Sequence, residues 1–186
     1  MFLDLVRQRQ SCRAFLPKDV PRDLILKCVE AARLSPSACN SQPWHFVIAD
    51  EPDLVKRLAD SVFSGIYAMN AHAKTAPVLV AVVRERSATT AAFGGFFRGT
   101  KFNLIDTGIA AEHFCLQAAE LGLSTCWLGW FDETKAKMIL RIPWNKKIDC
   151  LISLGYPADT PREKSRKPLN EIHDFGVFRH PKKEEI

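Results

Sequence analysis

Pro36-Ser37-Ala38-Cys39-Asn40-Ser41-Gln42-Pro43-Trp44 sits between an amphipathic helix and a short apolar strand, and its reading decides what kind of chain this is. The two prolines stiffen both ends, because each fixes its own φ and drives the preceding residue toward extended geometry. Between them, Asn40 and Gln42 each carry a donor and an acceptor side by side. A planar heterocycle with a mixed polar edge needs that pairing, so the stretch reads as a ligand loop. A second reading stays open, in which the same residues form a helix-to-strand turn whose Ser and Asn only cap backbone groups.

Two further clusters bear on the choice. Arg9-Gln10-Ser11-Cys12-Arg13 lies near the N-terminus and Lys164-Ser165-Arg166 near the C-terminus. Arginine offers a rigid fork of donors that matches phosphate oxygens, lysine a point charge, and a serine hydroxyl a neutral hydrogen bond. Either cluster alone also reads as a solvated face. Combined with the stiff amide loop, they describe one ligand with a dianionic end and a flat, polar-edged ring.

Working outward from the loop, Leu24, Ile25, Cys28, Val29 and Ala32 recur at helical spacing, with Pro21 in the first turn, so a helix runs to about Leu34. Trp44 to Ala49 reads as a strand, and Asp50-Glu51-Pro52 opens a helix with apolar positions Leu54, Val55, Leu58 and Val62. Ala76 to Val83 is too continuously apolar to alternate, which predicts a strand buried on both faces. Residues 87–100 are small and glycine-bearing, with Phe93, Phe96 and Phe97 among them, and read as a lid-like segment bordering a substrate pocket. A long, largely apolar helix follows from Phe102 to Leu121, capped by Gly122; it is either a domain centre or a subunit contact. A strand over Ser124–Trp130, a helix from Asp132 to Arg141 and a strand over Lys147–Gly155 complete the pattern, and the proline- and charge-rich remainder reads as a surface arm.

A chain of 186 residues with 47% hydrophobic content fits a single domain spanning 1–186. The net charge of +5 is spread among nearly as many acids, with no basic stripe, so nucleic acid is not an expected partner. Asp4 interrupts the apolar N-terminus where a signal peptide needs an unbroken core, and the run from Ala76 to Val83 is too short to span a bilayer. A cytoplasmic protein without membrane partners is the expectation. The six cysteines show no C-x-x-C pair and read as free thiols, with Cys28, Cys115, Cys126 and Cys150 among apolar residues. Neither they nor the five histidines form a metal-ligand spacing.

In this order, Arg9-x-Ser11-x-Arg13, Pro36-Ser37-x-x-Asn40-x-Gln42-Pro43-Trp44, Cys126-Trp127-Leu128-Gly129-Trp130-Phe131, Leu154-Gly155-Tyr156-Pro157 and Lys164-Ser165-Arg166-Lys167-Pro168-Leu169 resemble the FMN-dependent nitroreductase family from about Phe2 to Phe175. The resemblance implies an α+β fold, a central mixed but mainly antiparallel sheet surrounded by helices. It also implies an interlocked homodimer with C-terminal arm exchange, each FMN lying in a cleft made by both chains. Carried over by position, Arg9, Ser11, Arg13, Lys164 and Arg166 would hold the phosphate and ribityl chain, with Gln10 near the ring edge. Pro36, Ser37, Ala38, Asn40 and Gln42 would approach from the partner or the ring's polar side, and Leu128 and Gly129 would run beneath the ring. A glycine inside a strand commonly marks a close ligand approach.

The implied activity is an NAD(P)H oxidoreductase reducing nitroaromatic, quinone or similar conjugated small-molecule acceptors by ping-pong hydride transfer. The flavin carries the chemistry, so no catalytic side chain is assigned. Gln10 departs from a position often basic in the family, and Asn70 and Lys74 are candidates for its mid-chain flavin contacts. Alternatives within the resemblance are a dehalogenase, a reduced-flavin-cleaving enzyme, or a non-catalytic flavin-binding redox sensor.

Overall fold

The computed structural model of the chain describes residues 1–85, 95 and 99–178. Phe93, Phe96 and Phe97, the expected substrate-pocket residues, lie outside the described residues, as does most of the expected lid.

The sheet is organised around Val78–Arg84 (β2), whose residues alternate between two apolar layers. Leu79, Ala81 and Val83 enter one core, Val78, Val80 and Val82 the other. This is what a continuous apolar run means physically: with a side-chain period of two, a strand covered on both faces needs apolar residues at every position. β2 pairs antiparallel with Trp44–Ala49 (β1) on one side and with Lys147–Gly155 (β4) on the other; Ser124–Leu128 (β3) joins β4, giving the order β1-β2-β4-β3. All three ladders are antiparallel, and the mixed character expected of the sheet is confined to an isolated parallel bridge from Ser11 to Thr125.

One face carries Pro52–Val62 (α3) and Glu133–Leu140 (α5), whose Val55, Leu58, Ala59, Val62 and Ala136 meet β2, β3 and β4. The other carries Arg22–Arg33 (α2) and Phe102–Glu120 (α4); Ile25, Cys28 and Ala32 of α2 pack with Ala110, Phe114, Cys115 and Ala118 of α4. Phe114 is fully buried and stacks on Phe46 of β1 at 5.8 Å between ring centroids. α4 ends where expected: Gly122 has φ +74°, and Leu123 N–H closes on Ala118 O at 2.9 Å. The Asp132 side chain caps α5 by accepting Lys135 N–H at 3.0 Å.

Two elements were not legible from periodicity. Phe2–Gln8 (α1) buries none of its residues, and Gly65–Thr75 is a run of 3₁₀ turns with only Ala73 buried, so neither repeats an apolar face. At the end of β4, Gly155 is obligatory, since a Cβ there would come within 2.6 Å of Pro77 Cδ and 2.9 Å of Phe15. That close approach lets the N-terminal segment cross the sheet's end.

Candidate functional site

The two basic clusters, some 150 residues apart in sequence, are joined by a zipper between the segment after α1 and the segment after β4. Leu16 N–H donates to Tyr156 O (2.9 Å), Phe15 bridges Pro157, and Ala158 N–H donates to Ala14 O (2.8 Å). Arg13 N–H then donates to Asp159 Oδ2 (3.0 Å), and Arg162 N–H to Gln10 Oε1 (3.0 Å). Lys164 Nζ closes the series on Val6 O at 2.5 Å. Gln10, expected near a ring edge, therefore has its carbonyl committed to this seam.

The zipper concentrates positive charge. Arg9, its side chain 18% exposed, has one acidic neighbour, Glu112 at 3.5 Å. The Lys164 ammonium is held below its ordinary pKa by partial burial and by the charges of Arg9 and Arg166. An anion placed among these like charges would relieve their repulsion. Ser11 and Arg13 are exposed beside these charges while Cys12 between them is buried. The Cys126 thiol, pushed up by burial, is drawn back by Arg13 and a Ser11 hydrogen bond.

β3 and the 65–75 segment both reach this cluster. Cys12 N–H donates to Thr125 O at 2.9 Å, which seats the basic segment on the start of β3. In the 65–75 segment, burial and the charge of Arg13 push His72 below its ordinary pKa, and its Nε2 is buried without a hydrogen-bond partner among the described residues. At the far end of β3, Asn70 Nδ2 donates to Trp130 O (2.9 Å), Trp130 Nε1 donates to Ile66 O (2.9 Å), and Tyr67 tilts against Trp130 at 5.3 Å. Asn70 is thus tied to the end of β3, whereas Lys74 pairs with Asp60 at 2.9 Å.

Two expectations about this far end need correction. β3 stops at Leu128, so Gly129 lies just beyond the strand, and the Leu128 side chain is core, 1% exposed. Only the backbone of Leu128 can serve a ligand. Among the described residues other than its chain neighbours, none comes within 4 Å of where a Gly129 Cβ would stand, and its φ is not left-handed, so the position faces open space.

The 36–42 loop owes its shape to more than its prolines. Ala38–Asn40 forms a 3₁₀ turn, and Cys39 (φ 52°), Asn40 (φ 51°) and Gln42 (φ 45°) all occupy the left-handed region that non-glycine residues avoid. Asp106, 3% exposed on α4, holds the loop by accepting Ala38 N–H at 3.1 Å and the Ser41 hydroxyl at 3.4 Å. Ser37 Oγ accepts Gln42 N–H at 3.0 Å, and Gln42 Nε2 donates to Asn40 Oδ1 at 3.0 Å. The two carboxamides are thus mutually oriented. Asp106 was missed by sequence reading, although a lone acid among the apolar first turns of that helix was the available signal. Among the described residues, no hydrogen bond or ion pair links this loop to Arg9, Ser11, Arg13, Lys164 or Arg166. The loop is held from Asp106 and the basic cluster touches the same helix at Glu112.

The model of the Nitroreductase family matches residues 6–156. An oxygen-insensitive NADPH nitroreductase of Helicobacter acinonychis (strain Sheeba) is 31% identical over 194 residues, covering 89% of this chain and 92% of that protein. An NADH dehydrogenase of Thermus thermophilus is 26% identical over 191 residues, covering 89% and 91%. The crystal structure of a nitroreductase family protein from Clostridium difficile 630 superposes with a TM-score of 0.77 at 26% identity, covering 96% of this chain and 99% of that one. The chain belongs to the nitroreductase family and has its α+β fold. No helix among the described residues is long and apolar enough to cross a membrane.

Proposed function

We propose that this nitroreductase-family chain is an FMN-dependent oxidoreductase that takes reducing equivalents from NADH or NADPH and delivers them to a nitroaromatic, quinone or similar conjugated acceptor, working as a homodimer. The observation that carries the reading is the crowding of Lys164 by Arg9 and Arg166 in the cluster that the zipper assembles, where the neighbouring acids are Glu112, paired with Arg9, and the hydrogen-bonded Asp159. Such a cluster suits a dianionic phosphate more than any neutral ligand. Thr125 to Gly129 spans roughly 13 Å at the usual strand rise. That length matches a ligand with a phosphate at one end and a ring at the other. The open space at Gly129 and the unpartnered His72 Nε2 also suit polar groups of such a ligand.

FMN, when bound, would supply the hydride chemistry. This chain's residues bind and orient: Arg9, Ser11, Arg13, Lys164 and Arg166 hold the phosphate end through charge-assisted bonds, and the Leu128–Gly129 backbone backs the ring. Pro36, Ser37, Ala38, Asn40 and Gln42 complete the site from the partner subunit. That division accords with the lack, among the described residues, of any hydrogen bond or ion pair between the loop and the basic cluster within one chain. Exposed Leu104 and Ile105 on α4 support a subunit contact. The apolar arm bearing exposed Leu169, Ile172, Phe175, Val177 and Phe178 supports arm exchange, with β1 a sheet edge to receive it.

The test begins with the released cofactor. Mass spectrometry should find FMN, and full occupancy by FAD would refute the assignment. Arg13→Glu should then lower FMN affinity by several kcal/mol, since a charge-assisted hydrogen bond worth about 1.5–3 kcal/mol is replaced by repulsion. Sustained NAD(P)H oxidation on adding a quinone separates an enzyme from a flavin-binding sensor.

A further inference from the structure

Asp159 is an acid in the middle of the basic cluster, where electrostatics alone would exclude it. Both of its oxygens are engaged: Oδ1 accepts the Cys12 thiol at 3.0 Å and Oδ2 accepts Arg13 N–H at 3.0 Å. Its nearest cationic side chain is Arg162, at 3.9 Å. The side chain is 15% exposed, and Cys12 is 0% exposed. Cys12 is fixed from a second side by its N–H bond to Thr125 O at 2.9 Å, and its thiol also reaches Ala14 O at 3.0 Å. In extended backbone, neighbouring side chains point to opposite faces. Pinning Cys12 inward therefore obliges Ser11 and Arg13 to stand outward, as their exposure shows.

We propose that Asp159, acting through the buried Cys12 thiol and the Arg13 backbone, is a positioning residue that presents Ser11 and Arg13 to the phosphate of the bound flavin. The inference rests on the FMN reading above and adds to it a residue that touches no ligand. Burial and the Asp159 carboxylate push the Cys12 thiol up to about 12, so it remains a hydrogen-bond donor through the working pH range. The carboxylate itself is disfavoured by burial, yet the bonds from Cys12 and the Arg13 N–H hold it below the ordinary aspartate range. A permanent donor facing a permanent acceptor makes a clamp insensitive to pH near neutrality.

The sign of one substitution separates positioning from simple charge. Asp159→Asn removes a negative charge next to a dianion site, which by Coulomb's law alone would tighten FMN binding. It also replaces one carboxylate oxygen by an NH₂ group, so the Cys12 thiol or the Arg13 N–H loses its charge-assisted acceptor and the clamp is weakened. Positioning predicts that FMN affinity falls by roughly tenfold or more. Riboflavin, which shares the ring and lacks the phosphate, should bind Asp159→Asn and wild-type protein alike. Apoprotein titrations by flavin fluorescence, with both ligands, give the ratio. Cys12→Ala should show the same selective loss and Cys12→Ser, which retains a donor, should restore binding, so the assignment stays testable if Asp159→Asn does not fold. Unchanged or tighter FMN binding by Asp159→Asn, or equal losses for FMN and riboflavin, would overturn it. Wild-type protein that binds no FMN would overturn the function reading instead, and this assignment with it.

Discussion

Replacing Cys39 by glycine should stabilise the protein, and the size of the effect follows from the loop's backbone. Cys39 stands at φ 52°, ψ 29°, is exposed, and donates no side-chain hydrogen bond that glycine would forfeit. Holding an L residue in the left-handed region costs about 1–2 kcal/mol, whereas the extra freedom of glycine in the unfolded chain returns roughly 0.5–1 kcal/mol of that. The net gain expected for Cys39→Gly is therefore about 0.75 kcal/mol, the centre of a range from about 0 to 1.5 kcal/mol. For a chain of this size, that raises the melting temperature by roughly 1–4 °C. Cys39→Ala keeps the strained φ while removing the thiol, and should change little. Cys39→Val adds a β-branched side chain where φ is positive and should cost about 1 kcal/mol or more. Urea denaturation at one fixed protein concentration is the appropriate assay, because subunit association contributes to apparent stability. A Cys39→Gly protein no more stable than wild type, with Cys39→Val tolerated, would refute the claim that this loop stores strain.

Asp106→Ala should destabilise by about 2–4 kcal/mol in the same assay, since it leaves the Ala38 N–H and Ser41 hydroxyl without their buried acceptor, and an unaltered midpoint would show the loop to be held elsewhere. The Asp50 carboxyl is held low by its hydrogen bonds from Arg22, so its contribution is present above the unfolded pKa of about 3.9 and lost as pH falls through the lower folded value. The stability difference between wild type and Asp50→Asn should therefore be constant from neutrality to about pH 5 and shrink below about pH 4; a difference that persists at lower pH contradicts this sign. Light scattering at micromolar concentration should give a dimer, and a monomer retaining FMN would remove the two-chain site. Double-reciprocal plots at several acceptor concentrations should be parallel, as for donor and acceptor taking turns in one pocket, whereas intersecting lines would require two simultaneous sites.

Local patterns carried most of the framework. The unbroken apolar run of β2 announced a strand covered on both faces, the spacing of Ile25, Cys28 and Ala32 gave α2 its buried side, and Gly122 and Asp132 marked a helix end and a helix start. Each is a short-range rule, in which a residue's chemistry constrains neighbours within a turn or two. The motifs also identified the family, because their order is itself a property of the sequence. What short-range rules cannot reach is how distant segments meet. The left-handed turn at Cys39, Asn40 and Gln42 survives because Asp106, more than sixty residues away, holds it in place. Gly65–Thr75 docked on Trp130 without any repeating apolar face, and Leu128 was claimed by the core while Gly129 was left open beyond the strand. The residue types of Ser11, Arg13, Lys164 and Arg166 suggested a phosphate ligand from the sequence alone. That the two basic segments meet was decided by the zipper along residues 10–16 and 156–162, whose register rests on backbone hydrogen bonds and the Asp159 carboxylate, pairings that only the folded chain can make.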